Sequence, residues 1–128
     1  MSLLIGKHIY KILSEDADIK AIVGDKIFPI VVQEGTVFPF IAFDGISVTG
    51  NYTKDGCIGD ITQLTVKCIG QDFDTVATLA ENVRLVLEQQ SVEYGNYSIG
   101  SGELMGGGFD FDGQAFIAIL NFQLETNY

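Results

Sequence analysis

The sequence is poor in the residues that build metal and redox sites. It has one histidine, His8, and two cysteines, Cys57 and Cys68, among 128 residues. A structural zinc ion takes four ligands, mostly Cys and His, so these three side chains do not suffice. Free thiols are the default in a reducing cytosol, and Cys68 lies on the apolar side of a strand pattern. We therefore predict no metal, no cofactor and no disulfide.

Cations are also scarce. Seven Lys and Arg stand against 17 Asp and Glu, which gives a formal net charge of −10. Binding to a DNA backbone requires clustered cations, anionic membrane surfaces would repel such a chain, and the sequence contains no basic patch. The composition argues against sequence-specific nucleic-acid binding and against membrane binding.

Long apolar runs, repeats and linkers are absent as well. Residues 113–124, GQAFIAILNFQL, are fewer than the roughly 20 that a membrane helix needs. The N-terminus, MSLLIGKHIYKIL, lacks the long apolar segment of a signal peptide. We predict a soluble intracellular protein. With 47% hydrophobic and 19% charged residues, the composition is globular, and residues 1–128 are expected to form a single domain.

The hydrophobic periodicity predicts an α+β fold. Two short helical pieces should precede Gly24, and a long helix should span residues 73–89 with its apolar stripe on a sheet. Strand patterns cover 26–32, 37–48, 60–69, 97–105 and 114–125, and Gly95-Asn96 should form a hairpin turn. We expect an antiparallel, or mixed, sheet with two helical regions packed on one face. The predicted core residues are Leu64, Val66, Phe116 and Phe122.

The stretch GGGFDFDGQAF, residues 106–116, looks most like a binding site. A phosphate-binding glycine loop needs a helix and a Lys after it, whereas a strand pattern follows here. A calcium loop of the EF-hand type needs a Glu at its twelfth position, which is Asn121 when counted from Asp110. We therefore interpret residues 106–113 as a hairpin loop, in which glycines allow turning and Asp110 and Asp112 keep the loop solvated.

No catalytic set accompanies this stretch. His8 has no Ser or Cys nucleophile in a recognisable local motif, and we expect it to be partly exposed on a helix. Glu15 and Asp16 are typical helix-start charges rather than an acid–base pair. The sequence predicts no enzyme.

Two strands are apolar on both sides, which predicts a protein contact. Helices should cover one face of the closing strand, yet the opposite face also begins with apolar residues. The strand at 40–43 shows the same pattern. Two helical regions do not suffice to cover both faces of one sheet, and exposed apolar patches usually mark protein contacts. A sheet buried on both faces is the alternative. The predicted oligomer interface consists of Ala115, Ile117, Ile119, Ile41 and Phe43.

Two hairpin loops carry the predicted contacts with other proteins. Residues 49–59, TGNYTKDGCIG, hold a Lys-Asp-Gly turn signal, and such a connection often projects from the sheet. The 106–113 stretch carries two aromatics, Phe109 and Phe111, that could anchor a partner, although for at least one of them packing onto the domain's own core is the commoner role, as packing on its own hairpin is for Tyr52. The predicted contact residues are Tyr52, Lys54, Asp55, Phe109, Asp110, Phe111 and Asp112.

Four stretches in order resemble the tail-completion proteins encoded in the tail modules of phages and prophages. They are LSEDADIKAIVGDKIFP, FPFIAF, LTVKCIGQDFDTVATLAENVRLVL and FDFDGQAFIAILNFQLE, which together cover most of the chain. The resemblance implies a small α+β domain that assembles as a ring, typically hexameric. It implies that this ring caps the tail tube and joins it to the head, with the tube protein and a head-completion protein as partners. Assembly in the host bacterial cytoplasm and a place in the virion follow from the same resemblance.

A different class of function remains an alternative. A monomeric ligand-binding or regulatory module could share the architecture without the ring. The mass in solution separates the two, because a tail terminator should form rings.

Overall fold

The computed structural model describes residues 4–94 and 97–127 and contains three helices and seven strands in these ranges. The helices are α1 (Ile5–Glu15), α2 (Ala17–Val23) and α3 (Phe73–Gln89). The strands are β1 (Ile27–Pro29), β2 (Phe40–Thr53), β3 (Gly56–Gly70), β4 (Val92–Tyr94), β5 (Tyr97–Ile99), β6 (Glu103–Phe111) and β7 (Phe116–Asn127). The predicted turn at Gly95 and Asn96 lies outside the described residues, and β4 and β5 on either side of it pair antiparallel.

All seven strands form one mixed sheet. Its order is β1-β2-β3-β7-β5-β4, and β6 pairs with β7 as well. Every pairing is antiparallel except that of β1 with β2. Pro29 ends the short edge strand β1, a position where the missing N–H of proline costs no ladder hydrogen bond. The predicted α+β class with a mixed sheet is confirmed.

The three helices pack on one face of this sheet. Helix α3 begins after Asp72, whose Oδ2 accepts hydrogen bonds from the Thr75 N–H at 3.3 Å and from the Thr75 hydroxyl at 3.0 Å. Such a cap satisfies backbone donors that have no partner in the first turn. The helix buries Val76, Leu79, Ala80, Val83 and Leu87. Its bounds are those that the apolar spacing predicts.

The core lies between this helical layer and the sheet. Of the predicted core residues, Leu64, Val66 and Phe122 are buried, whereas Phe116 is only partly buried and packs at the margin. The first helices contribute Ile5, Ile9, Leu13, Ile19 and Val23. Asp16, which lies between α1 and α2, caps α2 because its Oδ2 accepts a hydrogen bond from the Ile19 N–H at 3.0 Å.

Both predicted hairpin loops are largely strand. Strand β2 stays paired with β3 up to Thr53 and Gly56, so the first hairpin turns at Lys54 and Asp55. Residues Gly106 to Phe111 pair with β7, and only residues 112–115 lie between the two strands. The interpretation of 106–113 as a loop is therefore wrong, because continuous pairing with β7 holds the glycines and Phe109, Asp110 and Phe111 extended.

Candidate interaction surfaces

The described residues contain no group of three or more His, Cys, Asp or Glu side chains placed to hold a metal ion. Cys57 and Cys68 are free and lie towards opposite ends of the same strand, β3. They cannot approach each other within one copy while that strand is intact. Burial raises the pKa of the Cys68 thiol to about 12, which suits a core residue and opposes a nucleophilic role.

His8 is part of a buried hydrogen-bond chain. It is only 5% exposed, so the expectation of a partly exposed histidine is wrong. Its Nε2 lies 2.9 Å from Oε1 of Gln90, and Nε2 of Gln90 donates to the carbonyl oxygen of Gly100 at 2.7 Å. The chain ties α1 to the end of α3 and to the segment after β5.

The sheet face that points away from the helices is called the second face. Residues directly opposite each other in an antiparallel pair lie on the same face. Ile119 is opposite Lys67, and Lys67 is opposite Ala42. Ile117 is opposite Ile69, which is opposite Phe40. The second face of β2 therefore carries Phe40 and Ala42.

The register corrects part of the predicted oligomer interface. Ile41 is opposite Cys68 and Phe43 is opposite Val66, so both point to the helices, and both are 0% exposed. Ala115 precedes β7 and is buried in its turn. These three residues are core, because their side chains are already covered within one copy. Ile117 and Ile119 do lie on the second face, where both are partly exposed.

The second face has an apolar end and a polar end. The apolar end is made of Ile69, Ile117 and Ile119, all partly exposed, and none of the described helices covers them. At the polar end the Thr65 hydroxyl donates to Oδ1 of Asn121 at 2.8 Å, and Gln63 pairs with Gln123 at 3.4 Å. Polar cross-strand pairs of this kind suit a solvated sheet face. The apolar end lacks such polar pairs and does not suit a solvated face.

The glycines of β6 leave this apolar end uncovered. Gly108 is opposite Ile119 and Gly106 is opposite Asn121. A Cβ built at Gly106 or at Gly108 would meet nothing within 4 Å, so neither position needs glycine for space. Glycine within a strand often marks the close approach of another backbone. The absent side chains expose the flank of β7 to any chain that approaches this edge.

The two aspartates of the stretch shape the turn. Oδ1 of Asp112 accepts hydrogen bonds from the N–H groups of Ala115 at 2.8 Å and of Gln114 at 2.9 Å. These bonds, Ala115 first, lower the pKa of Asp112. Oδ1 of Asp110 accepts from the Phe111 N–H at 2.8 Å. Asp112 is thus engaged by the backbone in the manner of an Asx turn.

Four phenylalanines form what we call the aromatic edge. Phe73 at the start of α3 lies 5.2 Å from Phe109 and 5.9 Å from Phe116 between ring centroids, and Phe111 stacks on Phe116 at 4.7 Å. Their rings lie on the helix side of β6 and β7, yet Phe73, Phe109 and Phe111 are 48%, 54% and 53% exposed. Phe73 has the helical spacing of the buried residues of α3 but is not one of them. It lies instead at the margin.

The tip of the first hairpin is the other exposed feature that the sequence singles out. Tyr52 is 74% exposed, and its ring lies over Gly50, where a Cβ would be 2.6 Å from Cε2. Lys54 and Asp55 form the turn beside it. The tip lies far along the strands from the aromatic edge, so the structure does not bring the two groups of predicted contact residues together.

None of the described helices is long and apolar enough to span a membrane.

Comparison with known families identifies the family to which the chain belongs. The family model described as Tail completion protein gp17 matches residues 7–124. The chain belongs to this tail-completion family. It is thus a structural protein of phage type, and the tail-completion resemblance is confirmed. The family is one of structural virion proteins.

Solved structures share the fold of this tail-completion protein. A chain of the virion of a native gene transfer agent particle superimposes with a TM-score of 0.80 at 16% identity, covering 94% of this chain and 92% of that one. A second solved chain, which carries no functional description, gives a TM-score of 0.69 at 10% identity, over 100% of this chain and 96% of that one. No curated protein sequence matches. At such identities the likeness concerns the fold.

Proposed function

We propose that this tail-completion protein assembles as a homo-oligomeric ring, hexameric as in the proteins it resembles, that caps the tail tube and joins it to the head. Family membership supports a role at the tail, and the fold supports a virion component. In this proposal, copies assemble in the host cytoplasm and remain in the virion at the head-proximal end of the tail.

The observation that carries the self-association is the apolar end of the second face. Ile69, Ile117 and Ile119 share one patch, and the bare backbone at Gly106 and Gly108 leaves it accessible. Burying apolar surface is worth roughly 25 cal/mol per Å², so a neighbouring copy that covers this patch gains free energy. The polar end at Asn121 and Gln123 stays solvated as a rim.

The hairpin tip at Tyr52, Lys54 and Asp55 is proposed to contact the tube protein or the head-completion protein. Its residues lie beyond the part of β3 that pairs with β7, which ends at Gly59. They make no part of the core cluster, so a partner can engage them without disturbing the fold.

The ring is tested by replacing Ile117 and Ile119 with Asp and measuring mass by light scattering after size-exclusion chromatography. We expect the double variant to be monomeric with an unchanged circular dichroism spectrum, because two carboxylates cannot be buried without partners. The matched control is N121D with Q123E, which adds two acids to the same strand and face, and this control should still assemble.

Three results would contradict parts of the proposal. A wild-type protein that stays monomeric both in solution and when imaged with tail tubes would refute the ring and favour a monomeric binding module. Normal assembly of I117D/I119D would remove the second face from the contact. An unfolded double variant would show that the two isoleucines are core.

A further inference from the structure

The aromatic edge exposes three phenylalanine side chains and is rich in aspartate. It adjoins the apolar end of the second face, because Phe111 and Asp110 pair with Phe116 and Ile117 at the start of β7. The two segments that form it read QDFD at 71–74 and FDFDGQAF at 109–116, with no Lys or Arg. Half-exposed aromatics next to a contact patch are typical anchors of an interface.

An apolar groove lies at the other end of the sheet. It is open, has a volume of about 520 Å³ and lies between α1 and the end of β1. Its lining residues are Leu4, Gly6, Lys7, Tyr10, Pro29, Ile30, Phe43 and Ile46. Lys7 lies on its wall, and α1 carries Lys7 and Lys11 but no acid before Glu15. In a chain of net charge −10, this is a local excess of positive charge.

Ile30 on the wall of this groove has a backbone conformation that is rare for its residue type, although its N–H donates to the Phe43 carbonyl at 2.8 Å. Its φ is 67°, which is an outlier for a β-branched residue. The Val31 N–H donates to the Pro29 carbonyl at 2.7 Å across it, a γ-turn of the strained kind. The side chain is nevertheless 68% exposed. Strain that gains no packing inside one copy often lies at a contact site.

Within one copy the groove and the aromatic edge cannot meet. Strands β2, β3 and β7 lie between β1 and β6 in the sheet. A contact between them must therefore join two copies, and it joins unlike surfaces. Such a heterologous contact repeats from copy to copy and closes into a ring when the rotation allows. The second face packed on itself would give only a two-fold dimer.

We infer that the aromatic edge of one copy docks into the α1–β1 groove of the next copy, with Phe109 and Phe111 against the apolar wall and the exposed Asp74, which follows Phe73, beside Lys7. The charges are complementary, because Asp72 and Asp74 flank Phe73 at the aromatic edge and Lys7 lines the groove. Two like-charged chains that associate need such local pairing to offset their mutual repulsion. This inference rests on the proposed ring and adds to the second-face contact two unlike surfaces through which one copy binds the next.

The first test uses two variants that each damage one surface. Phe109→Asp alters the edge at an exposed residue, and Ile30→Asp alters the groove with a residue that tolerates positive φ. Each variant alone should be monomeric at a concentration where wild type forms rings. An equimolar mixture should give a dimer and nothing larger, because the intact edge of one variant fits the intact groove of the other. Leu85→Asp, an exposed apolar residue on α3, is the matched control and should form rings.

Charge reversal provides a second test that does not depend on the apolar variants folding. Asp74→Lys and Lys7→Glu should each raise the dissociation constant on the order of tenfold, and the double variant should recover most of that loss. Rings from Phe109→Asp or Ile30→Asp alone, or no recovery in the charge-reversed pair, would overturn the inference and leave the ring itself standing. Monomeric wild type, in solution and on tubes, would overturn both.

Discussion

Replacing Phe43 by alanine tests which face of β2 packs on the helices. Phe43 is 0% exposed and lies in the core cluster opposite Val66. Truncation of a buried Phe costs about 3–5 kcal/mol, because transfer free energy is lost and a cavity remains. Ile119 is opposite Lys67 on the second face and is partly exposed. At about 0.8 kcal/mol per buried CH₂, its truncation should cost only about 1 kcal/mol in the isolated chain.

The difference is large enough to measure. An entropy of unfolding of roughly 2.1 cal/mol/K per residue gives this chain about 0.27 kcal/mol/K. The Phe43→Ala variant should therefore lose roughly 10–20 °C in Tm, and the Ile119→Ala variant only about 4 °C. Urea unfolding followed by circular dichroism supplies the free energies directly.

The dependence of stability on protein concentration distinguishes loss of core packing from loss of a contact between copies. The loss at Phe43 should not depend on concentration, since it belongs to the fold of one copy. The loss at Ile119 should grow with concentration, because a second-face contact stabilises the folded protein by mass action. Equal and small losses in the two variants would show that β2 is paired in a register different from the one described.

The remaining predictions concern single side chains. In native protein a thiol reagent at mildly alkaline pH should react with Cys57 but not with Cys68, because burial raises the pKa of Cys68 to about 12. Both cysteines should react in denaturant. Rapid reaction of a second thiol in the native protein would contradict the burial of Cys68. Asp112 has a lowered pKa in the folded state, so its contribution to stability is complete above the unfolded value of about 3.9 and is lost as the pH falls through the folded value. Asp112→Asn should flatten the dependence of the unfolding free energy on pH below about 4, and an unchanged slope would mean that the turn hydrogen bonds do not form. Asp72→Ala should cost about 1 kcal/mol through loss of the α3 cap, measured by urea unfolding, whereas no loss would show that the helix starts elsewhere.

Helix α3 and the sheet strands that carry a clean alternation were predictable from the sequence. The stripe from Val76 to Leu87 has helical spacing, Asp72 can cap it, and β3 alternates between apolar and polar residues around Leu64 and Val66. These signals are local, because each depends on a period of 3.6 or 2 residues within one element.

The segment GGGFDFD shows where local signals fail. Its glycines and aspartates are turn formers, yet β7 supplies backbone partners along Gly106 to Phe111, and the segment becomes an edge strand. The sequence also does not decide which face of the sheet Ile41 and Phe43 occupy, because all four residues at 40–43 are apolar. Only the pairing of β2 with β3 decides it. A shift of one residue in that register would exchange the two faces.

The sequence by itself determined the α+β class, the position of the long helix, the acidic surface and the resemblance to tail-completion proteins, because composition and short periods act within single elements. Only the tertiary structure decided that His8 is buried against Gln90, that Phe73 joins Phe109 at an exposed edge, and that Ile30 borders a groove at the other end of the sheet. Those outcomes depend on contacts between residues far apart in the chain, and no local pattern specifies them.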